Sequence, residues 1–468
     1  MAEDEYQLLQ RLFLQMARSL GPRFHITRDN YVDQPAEVEE ADQTPLSPHC
    51  ELYSQIKYGR SGWTGKHDTA GGLCQILAKR QLLNDAPTAG QRTTITDRML
   101  PEHPCLADVL PSRVFCGTYA CNGNIFIAAC QDHNIYLYDT SGGRFRRLHT
   151  VRARDVGWSI LDTALSPDEN WFIYTTWSPY VHICNMDGDS SKHFSLDLRP
   201  DDNMNFCAFS ATFSGDNREI LASANDGCLY VYDREKDVRI LKIDAHEDDA
   251  NAVVYGDESG HVILSGGDDG MVKVWDRRCD GYSPVGCLAG HKDGITFIDP
   301  RGDGYHLISN SKDQSIKLWD IRHLSPHEAV EATKTRVALQ KWDYRLEAVP
   351  RPVRKDAAKK LPGDSSLMTY TGHVVRQTLL RCRFSPAFST GQRYIYAACA
   401  KGRVIIYDLL TGHIKYHDCI RDVSWHPTEP VLTASTWDCT LQMWTFRERE
   451  NYISSEDSDG EYHPQRLF

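Results

Sequence analysis

Two arginines, Arg278 and Arg322, close near-identical runs, and their type and spacing say what chemistry this chain can do. The runs end Trp275-Asp276-Arg277-Arg278 and Trp319-Asp320-Ile321-Arg322. A guanidinium is planar, permanently charged and rich in donors, so it suits bidentate contact with carboxylates or carbonyls. That is recognition chemistry, not bond-breaking chemistry. In the plainer reading each arginine pairs with Asp276 or Asp320 and braces the strand end. Upstream, His246 and His291 precede the two tryptophans by 29 and 28 residues, with Asp269 and Asp313 between. A histidine held by a turn aspartate and a hydroxyl orients the indole, so both histidines are read as structural. The chain carries no G-x-S-x-G, no H-E-x-x-H and no glycine-rich phosphate loop. No catalytic residue, metal or cofactor is assigned, and the chain reads as non-enzymatic.

The elements that must position these arginines recur along the chain. Residues 263–275 and 307–319 pair two short β-rich runs around a turn, such as Asp269-Gly270. Self-similarity at about 40 to 45 residues, with Gly-His ahead of Trp-Asp, marks a WD-repeat β-propeller, an all-β fold. Aligned on the residue closing the third strand, the repeats fall at Tyr138, Cys184, Tyr232, Trp275, Trp319, Tyr407 and Trp444. Five intervals are one repeat long and the one after Trp319 spans 88 residues. Residues 323–371 carry prolines and scattered charge, so they read as an insertion in the fifth of seven blades. The propeller is assigned to 91–446, with Arg92-Thr93-Thr94-Ile95-Thr96 as the strand that closes the ring. Between Asp408 and Ile420 the repeat is shortened, which marks blade six as the weak edge.

Residues 1–90 form an extension. Within it, 5–20 reads as an amphipathic helix with Tyr6, Leu9, Phe13, Met16 and Leu20 on one face, stopped by Gly21-Pro22. Residues 29–50 are acidic and proline-containing and read as disordered. So does the acidic tail 447–468, where Ser454 and Ser458 suit acid-directed kinases. The insertion interleaves Arg345, Arg351, Arg354, Lys355, Lys359 and Lys360 with Trp342 and Tyr344, a composition compatible with RNA. It also fits a solvated loop pinned by its aromatics. Leaving blade five just after Arg322, the insertion is expected on the same face as Arg278 and Arg322. A formal charge of −12 disfavours nucleic-acid binding by the whole chain. No apolar run reaches the length of a membrane helix, and Glu3, Asp4 and Glu5 stand where a signal peptide is positive. Fifteen cysteines without a C-x-x-C pair read as reduced thiols in an intracellular protein.

Residues 263–278 run two aliphatics, small residues, an acid and Trp-Asp-x-Arg, and so resemble the cullin-4-associated factors, propellers that dock on the adaptor subunit of a ubiquitin ligase. Residues 307–322 match except for Asn310, whereas blade three ends Tyr232-Asp233-Arg234-Glu235 and lacks the basic residue. The stretches 153–159, 224–230, 290–299 and 361–370 extend the resemblance over Val114 to Trp444, insertion included. The resemblance implies a substrate receptor of a cullin-4–RING ligase, present in nucleus and cytoplasm. Its partners would be the adaptor, through it cullin-4 and the RING subunit, and a protein substrate such as a stress-response transcription factor. Asp276, Arg278, Asp320 and Arg322, with Leu9, Phe13 and Met16, would bind the adaptor. Repeat register puts the substrate on the opposite face, with Trp158, Arg154, Asn251, Arg381 and Arg421 as candidates. A ligase-independent scaffold and an RNA-binding propeller are the rival readings.

Overall fold

The computed structural model describes residues 45–48, 50–58, 81, 88–199, 206–279, 283–412, 414–420 and 422–446. All of them belong to the unit Glu40–Phe468. The stretch 5–20 with Leu9, Phe13 and Met16, the tail 447–468, and Arg421 lie outside the described residues.

Each repeat folds into an antiparallel sheet, and the fourth shows why. Ile263 stands opposite Trp275 and Gly266 opposite Val272. The turn between them needs a left-handed residue, met by Gly270 at φ 74°, while Asp269 accepts the Met271 N–H at 3.1 Å. Small residues serve where sheets crowd: a Cβ on Gly266 would lie 2.6 Å from Ile295 Cγ2 of the next sheet.

In chain order the sheets begin with Val114–Tyr119, Ile160–Leu165, Ala208–Phe213, Ala250–Tyr255, Ile295–Pro300, Cys382–Phe384 and Asp422–Trp425. These innermost strands touch their neighbours in cyclic order, with Tyr394–Asp408 linking the sixth sheet to the seventh, and Asp422–Trp425 returns to Val114–Tyr119. The fold is an all-β WD-repeat propeller.

Seven equal blades are not what the strands form. Six sheets have four strands; the sixth in chain order has three, Cys382–Phe384, Tyr394–Asp408 and Ile414–Ile420. Its middle strand has 15 residues. Laid straight it would span about 50 Å, yet Leu409 N–H donates to Arg393 O at 2.9 Å and Arg393 pairs with Asp408 at 2.7 Å. The strand therefore folds back, at Gly402 with φ 80°. The shortened repeat keeps its outer strand and leaves only residue 421 to connect it to Asp422–Trp425.

Ring closure corrects the expectation from the sequence. The closing strand is His103–Val109, antiparallel to Thr440–Thr445, not residues 92–96. Those residues belong to helix α2, Ala89–Thr96, which follows helix α1, Glu51–Tyr58. A capping box starts α2: Thr88 Oγ1 accepts the Gln91 N–H at 3.3 Å and Gln91 Oε1 accepts the Thr88 N–H at 3.0 Å. Its threonines then bond the sixth sheet's Ala387–Thr390 turn, Thr96 Oγ1 donating to Ser389 O at 2.6 Å. Capping and these tertiary bonds override the β preference of Thr93, Thr94 and Ile95.

The insertion is also more ordered than its composition predicts. It holds helices α3, His327–Ala338, and α4, Arg351–Asp356, and ends in Met368–Thr371, the outer strand of the fifth sheet. It leaves the Arg322 face, as expected, but does not stay there. Ser325 N–H bonds Cys287 O at 2.9 Å on the fourth sheet's outer strand. Then α3, about 18 Å long at 1.5 Å per residue, carries the chain to the opposite ends of the strands. There Val337 and Thr333 abut Gly270, Lys334 pairs with Glu247 at 2.9 Å, and Gln377 N–H bonds Tyr344 O at 2.7 Å. The return is pinned by the buried pair Lys317–Asp364 at 2.7 Å.

Candidate functional site

The two Trp-Asp-x-Arg corners are built on rigid hydrogen-bond chains. The Trp275 indole N–H donates to Ser265 Oγ at 2.9 Å, Ser265 lies 2.8 Å from His246 Nε2, and His246 Nδ1 lies 3.0 Å from Asp269. The indole can only donate, so Ser265 passes its own proton to His246 Nε2, and Nδ1–H donates to the carboxylate. The fifth sheet repeats this with Trp319, Ser309, His291 and Asp313 at 2.7, 2.7 and 3.0 Å. Burial pushes the Asp269 carboxyl up, but the hydrogen bond from His246 and the Lys273 ammonium outweigh it and hold it at about 2. Asn310 has its own reason: Nδ2 donates to Leu380 O at 3.0 Å and Oδ1 lies 2.8 Å from His373 Nε2, stitching the fifth sheet to the sixth.

Beyond these corners the two arginines differ. Arg278 grips Asp276 through Nε at 2.9 Å and Nη2 at 2.6 Å, and its side chain stays 64% exposed. These bonds hold the Asp276 carboxyl at about 2. Arg322 grips Asp320 in the same fork at 2.9 and 2.8 Å. In addition its guanidinium lies over the Tyr305 ring at 4.6 Å, and Nη1 donates to Glu51 Oε2 at 3.2 Å. In the third sheet Asp233 is braced by Arg218 and Lys236, and Arg218 also pairs with Glu235, which stands in the place of the arginine. Among the described residues the doubled arginine is thus a property of the fourth and fifth sheets.

The carboxylate on Arg322 belongs to a strap across the same face. Leu46, Leu52 and Ile56 are buried against Ile308, Leu318, Tyr370, Leu409 and Leu410. Leu46 N–H donates to Leu410 O at 2.8 Å, and Arg301 Nη1 donates to Gln55 Oε1 at 3.0 Å. Gly90 of α2 fits under α1 because a Cβ there would meet Lys57 O at 2.6 Å. The end of the stretch expected to be disordered, residues 45–48 and 50, therefore contributes to packing. Leu52 and Ile56, four apart behind Leu46, were the legible signal.

On the opposite face the register-based candidates separate. Trp158 is 61% exposed and Arg154 is exposed. Asn251 and Arg381 are not surface residues, which corrects the expectation. Asn251 Nδ2 donates to Asp268 Oδ1 at 2.5 Å and Ile295 O at 2.9 Å. Arg381 is buried at the ring's centre, on Asp162 at 2.6 Å and Asp422 at 3.5 Å, with Phe297 against its face. Asn251 lies on an innermost strand and Arg381 immediately before one, where a residue facing the neighbouring sheet is enclosed. Trp177, 47% exposed in a turn, escaped sequence reasoning; an indole between Thr176 and Ser178 was the clue. Its Cβ lies 3.0 Å from an ideal Cβ on Gly157 (φ 62°), and its ring meets Phe209 edge-on at 5.8 Å. Trp158, Trp177 and Phe209 thus form an aromatic sector over the second and third sheets. Over the fourth and fifth sheets this face carries the insertion, with Tyr344 against Lys312 at 4.4 Å.

Residues 237–276, 282–320 and 409–445 match the family described as WD domain, G-beta repeat. The chain is 42% identical over 371 residues to the LEC14B protein of Lithospermum erythrorhizon, covering 75% of this chain and 77% of that protein. It is 39% identical over 425 residues to the DDB1- and CUL4-associated factor 11 homolog of Caenorhabditis elegans, covering 86% and 74%. The homolog of Caenorhabditis briggsae is 36% identical over 393 residues, covering 79% and 70%. Identity of this extent accompanies paired Trp-Asp-x-Arg corners in adjacent sheets. The chain belongs to the DDB1- and CUL4-associated factor 11 family.

Proposed function

We propose that this chain is the substrate receptor of a cullin-4–RING ubiquitin ligase. It docks on the adaptor DDB1 through the face of Arg278 and Arg322 and holds a protein substrate on the opposite face. It performs no bond chemistry itself. Its contribution is effective concentration: a substrate held by the ring presents its lysines to the charged conjugating enzyme as an intramolecular partner. The observation that carries this reading is the exposed Arg278 fork beside its counterpart Arg322, in a chain of this family. Asp276 and Asp320 orient the two guanidinium groups, and Leu9, Phe13 and Met16 are proposed to add an apolar contact to the adaptor.

The substrate site is proposed over the second and third sheets, where Trp158 and Trp177 supply rigid aromatic anchors next to Arg154. A stress-response transcription factor is the candidate substrate, with the complex in nucleus and cytoplasm. The ring is read as seven-bladed, the folded-back strand Tyr394–Asp408 supplying two strands of the sixth blade; the Leu409–Arg393 hydrogen bond supports this.

The test is co-purification with DDB1, comparing the wild type with an Arg278→Ala, Arg322→Ala double substitution, with circular dichroism as a folding check. Capture by the wild type alone is expected. If the folded wild type never binds DDB1, or the double variant binds as well, the arginines are braces only and a ligase-independent scaffold is the better reading.

A further inference from the structure

Arg322 and Arg278 occupy equivalent positions in adjacent sheets, yet their surroundings are not equivalent. On Arg278, Nε and Nη2 are spent on Asp276, and no described residue is recorded against Nη1. On Arg322, Nε and Nη2 hold Asp320, Nη1 holds Glu51, and Tyr305 covers one face of the guanidinium. A guanidinium with three of its nitrogens engaged and one π-face stacked has little left with which to grip a second protein. What it does hold is α1. The adjoining side of that helix is seated by Leu52 and Ile56, and the strap before it by Leu46. The helix therefore cannot leave the face without opening apolar surface of the fifth and sixth sheets.

Resting on the receptor reading above, we propose that the strap made by residues 45–48 and 50–58 is part of the adaptor-docking surface, with Arg278 touching the adaptor directly and Arg322 acting through Glu51 as a positioning residue that holds α1. The strap sits on the face that carries Arg278, and it begins where residues 1–44, including the candidate helix 5–20, join the described structure. Lys57 is exposed on this helix, its Nζ donating to Tyr53 Oη at 2.7 Å, so the surface carries cations at Lys57 and Arg278 and fits a partner with acidic groups in register with both.

The experiment is a double-substitution cycle on the full chain, reading DDB1 affinity by titration and amide hydrogen exchange of residues 51–58 in the free protein. Arg278→Ala is expected to weaken DDB1 binding about tenfold or more, as for a buried interface arginine, with exchange over 51–58 unchanged. Glu51→Ala and Arg322→Ala should each speed that exchange and weaken binding, about two- to fivefold for loss of an exposed ion pair. The double variant should bind no worse than Arg322→Ala alone. Lys57→Glu should weaken binding with the melting temperature intact. Additive losses from Glu51→Ala and Arg322→Ala, or unchanged binding after Glu51→Ala, would overturn the positioning role. A wild type that does not bind DDB1 removes the receptor reading and the docking surface with it. The exchange data still show whether Arg322 holds α1, so the two failures are distinguishable.

Discussion

Arg381 offers the sharpest test of the packing argument, because repeat register placed it on the surface and the fold placed it at the hub of the ring. Its guanidinium reaches Asp162 of the second sheet at 2.6 Å, Asp422 of the seventh at 3.5 Å and the Phe297 ring of the fifth at 5.4 Å. Asp162 in turn accepts from Ser210 Oγ at 2.8 Å and the Ala211 N–H at 3.1 Å in the third sheet. Asp422 accepts the Gly117 N–H of the first at 3.0 Å. One cation thus ties five sheets through two buried carboxylates and touches a sixth through the Phe297 ring. Arg381→Met keeps much of the volume but leaves both carboxylates without their counter-ion, at a cost of about 3–5 kcal/mol. With an unfolding entropy of about 2.1 cal/mol/K per residue over roughly 350 residues, the melting temperature should fall by about 4–7 °C. Differential scanning calorimetry or thermal circular dichroism reads this directly. Introduced into an Asp162→Asn, Asp422→Asn background, the same substitution should cost clearly less, since the charges it compensated are gone. An Arg381→Met protein that melts like the wild type but loses its substrate would refute the reasoning and return Arg381 to the surface role.

Trp158→Ala and Trp177→Ala should each weaken substrate capture about tenfold or more while leaving the melting temperature in place, since both indoles are exposed; loss of stability instead would make them core residues. Asp364→Ala should destabilise the fifth sheet by about 3–5 kcal/mol by stranding the buried Lys317 ammonium, and limited proteolysis should then cut the insertion first. Burial, with neighbouring Asp268 and Asp313 adding to it and the Gly294 N–H and Lys312 opposing, lifts the Asp293 carboxyl to about 6. A carboxyl raised in the folded state binds its proton more tightly there than unfolded, so it costs stability progressively as pH rises from about 4 to 6. Asp293→Asn should therefore raise stability at pH 7 by about 1–3 kcal/mol and flatten that pH dependence; urea titrations at pH 4 and pH 7 check both. Asp269 has the opposite sign, held at about 2, so its contribution is present at neutral pH and is lost as pH falls from about 4 towards 2.

What the chain's own letters determined was local and periodic. Trp-Asp-x-Arg, the turn aspartates and the upstream histidines repeat at a fixed spacing, so a single repeat predicts its own hydrogen-bond chain. The distances from Trp275 to Ser265 and from His291 to Asp313 carry that chain out. The same repetition marked residues 323–371 as lying outside the period, although Met368–Thr371 at their end returns to the ring as the outer strand of the fifth sheet.

Tertiary structure decided what depends on contacts between distant segments. Residues 92–96 have β-prone side chains, but a cap at Thr88 and bonds to the Ala387–Thr390 turn made them helix. The insertion left the ring where the repeat placed it, yet a helix about 18 Å long delivered it to the other face. Asn251 and Arg381 have the charge or polarity of surface residues, but an innermost strand in a closed ring has a neighbour on each side. The two arginines were indistinguishable as letters. Only the arrival of Glu51, 271 residues earlier in the chain, made one a brace for α1 and left the other facing solvent.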